Sequence, residues 1–142
     1  MVSFRSLVLA GAVLLPVAAN AANDDDTICR LYADLGVAGL MYLSELSPEQ
    51  LLTLMEGKDA RAAQAMGAHL EQSLHPSAAK LLANAKIDFQ ALGTAASNAA
   101  FVLAISGEAE SLEDTSDTML ATCLKVGPRK IVANHKAATK GR

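Results

Sequence analysis

Apart from carboxylates, this 142-residue chain has few side chains that invite redox, nucleophilic or metal chemistry: two cysteines, three histidines and five methionines. Cys29 and Cys123 are the only thiols, and most of the chain lies between them. Redox-active pairs normally sit close in sequence, and a zinc site would need further ligands in CxxC or nearby-histidine spacing. Neither pattern occurs, so the pair reads as one structural disulfide, expected to stabilise the fold by about 2 to 4 kcal/mol.

The histidines offer little more. His69 and His75 diverge around a helix, and His135 lies near the basic C-terminus. Met66 and His69 stand at i and i+3, a spacing that could hold copper(I), but two ligands without a third give no selectivity. The expected arrangement has Met66 in the core and His69 on its rim. There is no Gly-rich phosphate loop, GxSxG elbow, HExxH pair or CxxCH attachment. No enzymatic activity and no cofactor are expected.

The carboxylates form one pattern. Glu110, Glu113, Asp114 and Asp117 recur at helical spacing as an acidic ridge. Such a run serves solubility and the helix dipole, or docks a basic partner. Asp24-Asp25-Asp26 is expected to be a linker with capping value.

These residues depend on elements that can be read outward from the N-terminus. The start, Met1 to Arg5, is short and carries the positive charge of Arg5, and an apolar run from Leu7 to Val17 is too short to cross a bilayer. With Ala19-Asn20-Ala21 after it, this stretch resembles a secretory signal peptide, residues 1–21. A periplasmic or secreted location is expected, with no stable membrane insertion after cleavage. About 120 residues remain, enough for one core.

Between Asp24 and Lys125, fifteen acidic residues stand against six basic ones. A body this acidic repels phosphate backbones, and with no Trp it lacks platforms for stacking bases, which excludes nucleic acid as a partner.

Apolar residues at spacings of three and four predict helix from Thr27 to Leu46, with Gly36 and Gly39 marking a close crossing or a bend. Ser47-Pro48-Glu49-Gln50 is a capping box that starts a second helix, with a break near Gly57 and Lys58. His75-Pro76 closes that segment. A single long helix is expected from Ser77 to Ser106, stopped by Gly107. Ser111 opens a last helix whose inward face would be Leu112, Met119, Cys123 and Val126, ending at Gly127-Pro128.

The fold class is therefore all-α: an up-and-down antiparallel bundle over residues 22–127, of four helices, or five with a break at Gly57. One disulfide would join its first and last helices. Residues 128–142 form a basic tail expected to be mostly disordered or weakly helical, and dispensable for folding. The small-residue stretch Ala91–Ala100 predicts close helix packing, or else a groove beside Phe89 and Phe101. The expected function is protein–protein interaction with another exported or envelope protein, in an accessory role of the immunity, chaperone or inhibitor kind. The alternative is a small-ligand or metal carrier using an inter-helix cavity.

Overall fold

Asp24-Asp25-Asp26 lies inside a helix, not before one. In the computed structural model, which describes residues 16–57 and 60–140 and side chains from Asp24 onward, helix α1 spans Pro16–Ser44. The alanines at 18, 19, 21 and 22 are the strongest helix formers available, and they carry the helix well N-terminal of the expected start at Thr27. Most of the predicted leader, residues 1–15, falls outside the described residues, and α1 runs through Ala21 and Ala22. Asp26 sits one turn before Arg30 and pairs with it at 3.9 Å on the surface.

Six more helices follow: α2 (Pro48–Glu56), α3 (Ala60–Gln72), α4 (Pro76–Ala85), α5 (Phe89–Ser106), α6 (Leu112–Val126) and α7 (Pro128–Lys140). The described residues thus form seven helices and no strand, where four or five helices were expected. Cys29 and Cys123 are bonded, their Cα atoms 5.4 Å apart, within the range a disulfide spans. The bond joins the middle of α1 to the last turn of α6, the first helix to the sixth.

The local signals explain most of the boundaries. Ser47 accepts a hydrogen bond from the Gln50 backbone, and Gln50 Oε1 accepts one from Ser47 N at 2.9 Å, a complete capping box. Gly57, at φ 67°, ends α2 in the left-handed region. His75 caps α4 through its ring, with Nδ1 accepting from Ser77 N at 3.1 Å, and Ser111 caps α6 by accepting from Asp114 N at 3.0 Å.

Three expectations need correction. The long helix from Ser77 to Ser106 is two helices, because Lys86 turns left-handed at φ 58° and Asp88 then caps α5, accepting from Ala91 N at 3.1 Å. Ile87, between them, is buried, so the break is held by packing as well as by the cap. Second, the tail is helix α7: Pro128 and Val132 are buried and Ile131 packs on the core, which gives the segment the apolar burial a free tail lacks. Third, the inward face of α6 is Thr115, Met119 and Cys123, while Leu112 and Val126 are exposed. Thr115 is buried at small cost because its hydroxyl donates to Ser111 O at 2.9 Å.

The core centres on α1, which packs along both α5 and α6. Cys29 meets Cys123 and Gly36 meets Met119, so α1 and α6 run in opposite directions. The two buried glycines mark a close crossing. A Cβ on Gly39 would lie 2.7 Å from Ser97 Cβ and 3.2 Å from its Cα, and one on Gly36 would strike the Met119 thioether. The facing surface of α5 is built to match: Ala91, Leu92, Gly93, Ala95, Ala96, Ser97 and Ala100 are all buried. Ser97 is satisfied within its own helix, donating to Gly93 O at 2.8 Å.

Candidate docking site

The small residues that let α5 press against α1 occupy one face of α5; its other face meets a cleft. Asn98, Ala99, Val102 and Leu103 line one wall, Thr118, Met119 and Thr122 of α6 the other, and Tyr32 of α1 the floor. The volume is about 340 Å³. The cleft exists because α5 and α6 both pack more closely on α1 than on each other. Burial disfavours ionisation of the Tyr32 phenol and raises its pKa from the ordinary 10.0.

The cleft opens onto uncovered apolar surface. Asn98, Val102 and Ile105 stand at i, i+4 and i+7 along α5, and Val102 and Ile105 are 55% and 67% exposed. No charged residue occurs anywhere in α5, which has a mean hydropathy of 1.3 and is long and apolar enough to cross a membrane by composition alone. Seven of its eighteen residues are buried, and Val102, Ala104 and Ile105 near its C-terminal end are exposed. Singly scattered apolar residues on a surface are normal, whereas neighbouring ones such as Val102 and Ile105 mark contact sites.

The four residues of the acidic ridge are all exposed. Glu110 precedes α6, Glu113 and Asp114 sit in its first turn, and Asp117 one turn on. Asp114 steadies the corner by accepting from Glu110 N at 3.4 Å. Asp114, Thr118 and Thr122 follow one another at i, i+4 and i+8, so the acidic corner continues the α6 wall of the cleft. Sequence reasoning found the ridge and the groove as separate features; the fold makes them neighbours. It also placed the groove beside Phe89 and Phe101, but both pack against the core and neither lines the cleft. Tyr32, Thr118 and Thr122 were missed, because periodicity assigns a residue to a face without showing that a neighbouring helix leaves that face open.

The remaining candidates stay apart. Met66 is buried, whereas His69 is exposed with its ring against Tyr42, centroids 5.1 Å apart. Among the described residues no three His, Cys, Asp or Glu side chains converge as a metal site would require. A second, smaller hollow of about 190 Å³ lies between Asp24, Asp25, Asn84, Ala85 and Arg129. There Arg129 pairs with Asp25 at 3.7 Å and donates to Ala85 O at 3.4 Å, tying the start of α7 to α1 and α4.

No family model, curated protein or solved structure matches the chain.

Proposed function

We propose that this is an exported protein that works by binding another protein through the α5–α6 cleft, without chemistry of its own. One observation carries the reading: an uncharged helix leaves Val102 and Ile105 in water at the lip of an apolar cleft. Burying such a stripe is favourable by roughly 25 cal/mol per Å², and the groove suits an inserted helix. Export is supported by the buried Cys29–Cys123 bond, of a kind that persists in oxidising compartments, and by the leader-like start of the sequence.

A non-catalytic role fits the scatter of the nucleophile and base candidates. His69 lies against Tyr42, His75 is engaged in capping α4, and His135 belongs to α7. A photo-crosslinking amino acid at position 102, and a second at 118, tests the reading in intact cells. Both are expected to give the same discrete protein adduct, absent when the probe is placed at exposed Ala79 on α4. Indistinguishable products from all three positions would defeat it. An apolar small ligand is the competing occupant, and native mass spectrometry of the purified protein would reveal it as a fixed added mass.

A further inference from the structure

Between Lys86 and Lys125 there is no lysine, arginine or histidine. That interval contains all of α5 and α6 up to the disulfide, and its six charged side chains are all acidic. Five of them, Glu108, Glu110, Glu113, Asp114 and Asp117, gather at the end of the hairpin where α5 turns into α6. All five are exposed. The cleft therefore offers an apolar trough with no cation among its lining residues, an acidic corner at the α5–α6 turn and Lys125 one turn beyond Thr122 at its other end.

We infer that the occupant of this cleft is a cationic amphipathic helix of another polypeptide, an inference that rests on the protein-binding reading above. The trough supplies the apolar half of recognition. Val102 and Ile105 stand one helical turn apart, and the partner would answer with its own apolar residues at i, i+3 or i+4, and i+7. The acidic corner supplies selection, since an anionic helix seated there would meet like charge without compensation. A phosphate-bearing surface meets the same repulsion, so an anionic membrane is disfavoured despite the apolar character of α5. Such a partner would lie between α5 and α6, over Tyr32.

The test uses the full, disulfide-intact chain and fluorescein-labelled synthetic helices of about 18 residues, long enough to span the trough. One carries leucines at helical spacing flanked by lysines, one the same leucines flanked by glutamates, and one the lysine composition scrambled. Fluorescence anisotropy is expected to show saturable binding of the first. Binding of the other two should be at least about tenfold weaker, and the lysine peptide should weaken as salt rises. Val102→Glu, at an exposed position, should abolish binding, with Thr118→Glu as an independent second variant. The charge reversal Glu113→Lys with Asp114→Lys should weaken the lysine peptide and strengthen the glutamate one.

Equal binding of lysine- and glutamate-flanked helices, or of the scrambled peptide, overturns the inference. So does a dimer in sedimentation equilibrium that Val102→Glu dissociates, which would make a second copy the occupant. Failure of the peptides with a discrete crosslink still present at position 102 removes the cationic helix but leaves the protein-binding reading standing. Failure of both removes both.

Discussion

Helix α2 and the trio α1, α5 and α6 reverse the usual relation between local signal and burial. α2 has every device that starts and stops a helix: a reciprocal capping box, Pro48 at its first position and a left-handed Gly57 at its end. Yet none of its residues is buried. The trio is locally poorer, with Gly36 and Gly39 inside α1 and Gly93 inside α5, each costing about 1 kcal/mol in helix propensity. It nevertheless holds Ile28, Leu92, Met119 and the disulfide in the fully buried centre. Propensity and capping decide where a helix begins and ends, whereas close approach of smooth faces decides which helices carry the fold.

The largest expected effect follows from removing the staple. Replacing both Cys29 and Cys123 by Ala should cost about 3 to 5 kcal/mol in urea denaturation, because the bond closes nearly the whole body and lies in the centre of the trio. A loss under about 1 kcal/mol would mean that glycine-mediated packing alone holds the three helices.

That packing has its own test. Gly39→Ala adds a methyl 2.7 Å from Ser97 Cβ and 3.2 Å from its backbone Cα, so α1 and α5 must separate. The gain in propensity, about 1 kcal/mol, is outweighed, and a net loss of roughly 1 to 3 kcal/mol is expected. Gly67→Ala in α3 is the control, since its added carbon meets only the movable Gln90 side chain at 3.6 Å. There the propensity term should prevail, stabilising the protein by up to about 1 kcal/mol in the same denaturation experiment.

The same division explains what could be read before the structure. The cysteine pair, the capping box at Ser47, the break at Gly57, the stops at His75-Pro76 and Gly107 and the cap at Ser111 are local chemistry written in single residues; that the His75 ring itself caps the next helix was not. The break at Lys86 was hidden, because Leu82, Ala85, Phe89 and Leu92 keep an unbroken helical spacing across it. Asp88 reads equally well as a surface residue of one long helix or as the cap of a second. The order in α7 was hidden for a different reason: few apolar residues stand in it, and only docking reveals that Pro128 and Val132 suffice. For the candidate site, the acids and the small-residue stretch were legible, but their adjacency follows from how α5 and α6 lean on α1.

Capping residues sharpen the contrast at about 1 kcal/mol. Asp88→Ala removes the acceptor for Ala91 N at the head of α5, whose unfolding is that of the core, and should lower global stability by about 1 kcal/mol. Ser47→Ala removes chemistry of the same kind from α2. Because α2 buries nothing fully, it should open by itself, leaving the global transition within about 0.5 kcal/mol of the parent. Amide exchange should register the loss instead, with protection falling over residues 48–56 and unchanged in α5. A matching drop in global stability for both variants would mean that α2 unfolds together with the core.

The smallest effect belongs to the outer face of α2. Leu52 and Met55 are 59% and 53% exposed, while Leu51 and Leu54 are half-buried against the core. Leu52→Ser with Met55→Ser therefore removes apolar surface that water already reaches, and global stability should change by less than about 0.5 kcal/mol. A loss above about 1 kcal/mol would show that something covers this face in solution. Repeating the denaturation at several protein concentrations then separates two causes. A loss that grows with concentration places a second copy on α2, because only association makes stability depend on protomer concentration. A constant loss places the cover within the chain, and α2 then belongs to the packed core after all.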